Sequence, residues 1–260
     1  MLNDGAIRYN NIGTITPSKI YFEKFDNYHE DIVGAVVSSG AQLTRNTDIG
    51  GRLLCTHIAN ELEAGHNPEN FHDILDHSFV KATKDRINLE LNATCLDCNI
   101  GCLTVHNGKV IANLAGEGFI AIKLKDNTVS TYRVKYPKNK PLYHSIASNS
   151  NRLKVWETIT ENYPRILGRA WNKTHFNIPA DKPTGITLEF DQEVIKSIYI
   201  ITDELNSFTS TYEIEINPEE LIDILTGTDE FLGNLHNLNI ICKKNAWANK
   251  KDIGIICLYK

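Results

Sequence analysis

The residues His106-Asn107-Gly108 stand between two apolar runs, 93–105 and 109–115. Asn-Gly between strand-like runs closes a tight antiparallel hairpin, because both residues accept the left-handed backbone that such a turn needs. Asp126-Asn127 repeats the signal between 118–124 and 128–135. The centre of the chain is therefore a run of antiparallel strands, which an alternating βαβ protein would not contain.

The flanks supply helices. Residues 32–38, IVGAVVS, form an apolar run that reads as a buried strand ending in Ser-Ser-Gly. Thr47 or Asp48 then caps a helix over 48–64, with Ile49, Leu53, Leu54, Ile58 and Leu62 at helical spacing. A second helix over 68–86 turns Phe71, Ile74, Leu75 and Phe79 inward. The stretch 137–185 holds a helix near 150–162 and prolines at 164, 179 and 183. Strands return at 186–190, 197–202 and 210–216. Asn217-Pro218-Glu219-Glu220 starts a helix: Asn caps, Pro fits the first turn, and the acids face the positive end of the dipole. One or two helices run to about 237, and 253–259 is a closing strand. The order predicts an α+β fold with layered antiparallel sheets, one domain over residues 1–260.

Composition removes several functions. The net charge of −5 offers no basic face for nucleic acid. No apolar run reaches the roughly 18 residues of a membrane helix, and the N-terminus has no charged-then-apolar leader. Six cysteines in 260 residues are not a disulfide framework. These features predict a cytoplasmic chain with reduced thiols.

Some chemistry-bearing groups have ordinary readings. Cys95, Cys98 and Cys102 form half of a zinc pattern. On a strand, Cys95 and Cys98 would face opposite sides, while Leu96, Cys98, Ile100 and Cys102 would share a core face. They read as buried thiols. His66, His72 and His77 lie in one helical region, but 72 and 77 are five apart and off a common face, so they read as solvated. No nucleophile elbow, P-loop or dinucleotide glycine motif is present. Asp26, Glu117 and Asp203 each lie at or near a predicted strand end, where carboxylates can converge on a hard cation.

Four segments resemble the metal-dependent protein phosphatase 2C (PPM-type) family in its bacterial style. VVSSG (36–40) followed by NTDIGGRLLCTHIANEL (46–62) resembles its apolar strand, Asp-Gly and small-residue helix start. ATCLDCNIGCLTVHNGKVIANLAGEG (93–118) resembles its Ala-Thr strand, hairpin and Gly-Asp-Ser or Gly-Asp-Gly turn. SIYIITDEL (197–205) resembles the strand ending in Ser-Asp-Gly-Leu, and KDIGIICL (251–258) the closing strand. The segments occur in family order from about residue 12 to 258. The resemblance implies an antiparallel β-sandwich with helices on both faces, four layers in the order α-β-β-α. It also implies a site at one sandwich end, where aspartates hold two manganese or magnesium ions that activate water for phosphoserine or phosphothreonine hydrolysis.

Carried over residue by residue, the site departs from that pattern. The early aspartate falls on Asp26, flanked by Lys19, Glu23 and Lys24 with no phosphate-binding arginine. The metal-bridging aspartate falls on Ser39, followed by the expected Gly40. The Gly-Asp-Ser acid falls on Glu117. Asp203 is kept, with Glu204 in the glycine slot and Ser207 where another acid belongs. The final metal aspartate falls on Lys251, with Asp252 beside it. The core trio, whose equivalents here are Ser39, Asp203 and Lys251, thus sums to zero charge instead of three negatives. At about 4 Å and an effective dielectric of ~20, each unit pair is worth roughly 4 kcal/mol.

The implied cofactor state is no manganese or magnesium, or weak binding. The expected function is a pseudophosphatase acting as a binding or regulatory module, with Lys251 pairing Asp203 where a metal would be. The alternative is an active phosphatase, a hydrolase whose residual acids Asp26, Glu117 and Asp203, with Asp252, hold one cation. The resemblance implies a phosphoprotein or kinase partner.

Overall fold

The computed structural model describes residues 3–9, 19–27, 29–41, 43–160, 164–170, 174–179 and 184–259. In chain order come β1 (Asn3–Tyr9), β2 (Ile20–Asn27) and β3 (Ile32–Gly40), then helices α1 (Thr47–Glu63) and α2 (Phe71–Asn88). β4 (Cys98–His106), β5 (Lys109–Ala115), β6 (Gly118–Leu124) and β7 (Val129–Lys135) follow. Next are α3 (His144–Ala147), α4 (Ser150–Thr160), β8 (Arg165–Arg169), β9 (His175–Pro179), β10 (Gly185–Asp191) and β11 (Ile195–Thr202). The chain closes with β12 (Phe208–Thr209), α5 (Pro218–Leu225), α6 (Phe231–Asn245), β13 (Ala248–Asn249) and β14 (Ile253–Tyr259).

A seven-stranded sheet runs β1-β14-β11-β6-β7-β8-β9 and a five-stranded sheet runs β10-β5-β4-β3-β2. Every pairing in both is antiparallel. Strand alternation builds the layers. Val37, Leu103 and Ala112 of the smaller sheet meet Ile120, Ile200 and Ile256 of the larger one between the sheets. Their neighbours point outward. Val36 and Cys102 pack under Leu54, Ile58, Leu62, Ile74 and Leu75 of α1 and α2. Tyr199, Ile201 and Ile255 pack under Leu221, Leu225, Leu235 and Leu238 of α5 and α6. Strands covered on both faces must be apolar at nearly every position, which explains the unbroken run in β3. The α-β-β-α architecture expected from the sequence is the one observed.

Several local expectations need correction. The strand expected from 93 starts at Cys98, because Asn92 accepts from Thr94 N–H and opens a 3-10 turn over Ala93–Leu96. Cys95 is therefore not a strand residue, yet Cys95, Leu96, Cys98, Ile100 and Cys102 all join the core under α1 and α2. The strand expected at 210–216 shrinks to β12 and a single bridge, Thr209 to Glu215, around a turn with Glu213 at φ 59°. Helix α1 begins after Asn46, which makes no side-chain cap bond, and Thr47 instead donates to the carbonyls of Ala41 and Thr44. Ile49 is exposed rather than inward. The last long helix extends past 237 to Asn245. Residues 161 and 162 of the helix expected near 150–162, and Pro183, lie outside the described residues. Strands β1, β2, β8 and β9 went unpredicted. The Asn217 cap forms as expected, accepting from Glu219 N–H at 3.1 Å. No described helix is long and apolar enough to cross a membrane.

Candidate functional site

One end of the sandwich collects most of the residues singled out by sequence. Ser39 and Gly40 finish β3 opposite Asn99 and Cys98, which start β4. Glu117 occupies the turn between β5 and β6, carrying the chain from one sheet to the other. Thr202 pairs with Gly118 at the end of β11, so Asp203 emerges beside that turn. Lys251 and Asp252 immediately precede β14.

Asn99 ties the two sheets together here. Its amide donates to Asp203 Oδ1 at 2.9 Å, and its Oδ1 accepts from the Glu117 N–H at 2.9 Å. Gly116 makes the fit possible. Its φ is +90°, and a Cβ there would fall 2.2 Å from Asn99 Oδ1. Glu117 Oε1 accepts from the Tyr136 N–H at 3.2 Å. The Ser39 hydroxyl donates to the carboxylate of Glu204, and both residues are buried.

The carboxyls crowd one another. Burial pushes Asp203 well above the usual aspartate range, and the charges of Glu204 and Glu117 push it further. The positive charge of Lys251 and the Asn99 bond oppose this. Burial also raises Glu117, against the Tyr136 bond and the charges of Arg133 and Lys135. Arg133 stacks its guanidinium 5.1 Å from the centre of the Phe119 ring, and burial lowers its own pKa despite Glu117, Asp203 and Glu215. The Tyr143 phenol is driven up by burial and then by the charges of Asp203, Cys98, Glu117 and Asp97.

Three expected residues behave differently. Lys251 is exposed and makes no ion pair with Asp203 among the described residues; the nearest-neighbour role falls to the neutral Asn99. The alternation before β14 sends Lys251 out and Asp252 in, where Asp252 meets Arg8 of β1 at 3.8 Å. Asp26 is not at this end. In the β2–β3 register Ile20 faces Ser39 while Asp26 faces Val33. Six residues of strand separate those positions, about 20 Å. Asp26 is exposed, and its neighbour Asn27 donates to Glu63 at the far end of α1. Lys19, just before β2, lies at the Ser39 end: its carbonyl accepts from the Gly40 N–H and its ammonium donates to the carbonyls of Ala41 and Thr44. Ser207 ends the 3-10 turn that begins at Asp203, its carbonyl accepting from Lys250 N–H.

Asp97 lies buried just behind Asn99. Arg152 grips it through two bonds of 3.0 and 2.8 Å, and Ser145 donates at 2.5 Å. This fastens α3 and α4 beside the site, where a groove of about 540 Å³ opens along Lys140, Tyr143, Ile146, Arg152 and Trp156. None of the six cysteines forms a disulfide, and all are buried; burial raises Cys95, lifts Cys98 well above the usual range and pushes Cys102 up to about 12.

Sequence reasoning missed Asn99, Arg133, Tyr143 and the role of Glu204. Glu204 was legible as a departure from the resemblance, and Asn99 as a polar residue inside an apolar strand. Neither signal names its partner. Among the described residues, one group of His, Cys, Asp and Glu side chains brings three ligand atoms within 4.8 Å of one another, and it is elsewhere: Glu61, His66 and His77.

No protein-family model and no curated protein sequence matches the chain. Solved structures do. The serine/threonine phosphatase Stp1 from Staphylococcus aureus superposes with a TM-score of 0.59 at 9% identity, over 100% of this chain and 95% of that one. The S. agalactiae serine/threonine phosphatase gives 0.58 at 9% identity, over 100% and 99%. The RsbU and RsbW domains of Rv1364c from Mycobacterium tuberculosis give 0.57 at 9% identity, over 99% of this chain and 59% of that one. The chain has the fold of bacterial PP2C-type serine/threonine phosphatases.

Proposed function

We propose that this chain is a phosphatase-fold module that binds or regulates a protein partner and does not hydrolyse phosphomonoesters. The observation that carries the reading is the hydrogen bond from Ser39 to Glu204. The resemblance sets a metal-bridging aspartate at Ser39, and here a neutral hydroxyl is engaged by a carboxylate from the opposite sheet. The remaining groups fit a two-cation centre no better. Asp203 is held by Asn99, Asp252 by Arg8, and Lys251 contributes a positive charge. In this reading the hydrogen bonds from Asn99 to Asp203 and from Ser39 to Glu204 join the sheets where cations would otherwise do so. We assign Ser39, Asn99, Glu117, Asp203 and Glu204 to a structural lock across the sheets. A phosphoprotein or a kinase is the partner class this reading favours, and the groove beside Tyr143 is the surface offered to it.

The crowding of Glu117, Asp203 and Glu204 favours one second reading, an enzyme that gathers these acids around a single manganese or magnesium ion. Manganese titration and p-nitrophenyl phosphate hydrolysis on the same wild-type preparation separate the two. The proposal expects no turnover above buffer and no saturable manganese site. It also expects both to emerge in the double change Ser39→Asp, Glu204→Gly, since Asp252 already points inward. Wild-type turnover that Asp203→Ala abolishes would establish the enzyme instead.

A further inference from the structure

The far end of α1 builds a different kind of site. The last turn of α1 buries the Glu61 side chain, which is 3% exposed. Beyond it the chain reverses through Gly65, at φ +87°, and the His66 N–H donates to the Glu61 carbonyl at 3.2 Å. This Schellman-like closure folds His66 back over the turn it has just left. Its Nδ1 lies 2.6 Å from Glu61 Oε2. From the other side α2 presents His77 and, one turn on, Lys81, whose ammonium meets Glu61 Oε1 at 2.5 Å. The imidazoles of His66 and His77 stand 6.2 Å apart between ring centres, tilted by 57°. One ligand atom from each of Glu61, His66 and His77 lies within 4.8 Å of the others.

We propose that Glu61, His66 and His77 form a binding site for one borderline divalent transition metal, with zinc the best match, that clamps α1 to α2. Two imidazoles and one carboxylate are the donor set such ions select, whereas magnesium and calcium favour oxygens alone. Three ligands from two helices leave a coordination position open, and the exposed imidazoles let an ion enter. On binding, the ion takes the place of the proton now shared between His66 Nδ1 and Glu61 Oε2. A neutral His66 then carries its remaining proton on Nε2, and Lys81 keeps its hold on Oε1. The site is separate from the Ser39 end: α1 spans 17 residues, about 25 Å of helix. It stands whether or not the phosphatase-fold reading above is right.

The test uses the full chain stripped with a chelator, then titrated with zinc against a chromophoric competitor and with cobalt followed by visible absorption. The expected result is one equivalent per chain and cobalt bands of a nitrogen and oxygen site. His66→Ala and His77→Ala each weaken zinc at least about tenfold, since even outer supporting groups cost that much. Lys81→Met strengthens it by removing a cation beside the metal, an effect that a purely structural Glu61 would not show. Both histidines are exposed, so far-UV circular dichroism should show these variants folded. Zinc binding equal in wild type and in the His66→Ala, His77→Ala double variant overturns the proposal. So does a sulfur-to-cobalt charge-transfer band, which would place the ion on the buried cysteines, or loss of the site in Asp203→Ala.

Discussion

Asp203 follows β11 of the larger sheet and Glu61 lies on α1 over the smaller one, and their surroundings treat the two acids in opposite ways. Asp203 meets a neutral amide from Asn99 and two neighbouring carboxyls, and its pKa rises. Burial works to raise Glu61 too, but the hydrogen bond and charge of Lys81, with the charges of His66 and His77, outweigh it and hold Glu61 below the usual glutamate range. Burial alone therefore does not decide the state of a carboxyl; the charge of the donor that meets it does. Asp97, also at the Ser39 end, differs from Asp203 in its partner: the charged guanidinium of Arg152 grips it.

The comparison can be broken in order of effect. Arg152→Ala strands Asp97 in the core and should cost about 3 kcal/mol, since removing one partner leaves an uncompensated charge. Urea unfolding measures it. A loss of a few tenths would mean that Asp97 is solvated after all, and the contrast with Asp203 would fail.

Glu61→Gln comes next, costing about 2 kcal/mol at neutral pH by losing hydrogen bonds to a charged acceptor. A depressed folded-state pKa gives stability that is present above the unfolded value of about 4.5 and is lost as pH falls through the folded value. The variant should therefore flatten the acid limb of the stability profile below that value and run parallel to wild type above it.

Asp203→Asn has the smallest effect and the opposite sign. A raised folded-state pKa gives stability that is complete below the unfolded value of 3.8 and lost as pH rises through the folded value. Asparagine keeps the acceptor for Asn99 and removes the charge. The variant should raise the thermal midpoint at pH 8 by ~2–4 °C, the shift that ~1 kcal/mol gives a chain of this size. The gain should vanish near pH 4. A destabilised variant at pH 8 would mean that a cation sits on Asp203 in solution, in favour of the enzymatic reading.

The apolar periodicity, the Asn107-Gly108 turn and the Asn217 cap were enough to place most strands and helices, because each acts within a few residues of itself. They also bounded the architecture, since strands apolar on both faces need cover on both faces. Strand β2 was not legible: IYFEKFDN mixes charge into its alternation and leaves most of its side chains half-buried or exposed. That gap carried Asp26 to the wrong end of the molecule, because which end a strand residue reaches depends on pairing register with a distant segment. The same holds for the sites. The sequence by itself displayed Ser39, Glu204 and Lys251 as departures from a pattern and His66 and His77 as unrelated imidazoles. His66 reaches Glu61 locally, through the Gly65 closure, but only the tertiary structure set Glu204 against Ser39 and His77 against Glu61, since those contacts depend on how two sheets and two helices pack, and no local spacing encodes that distance.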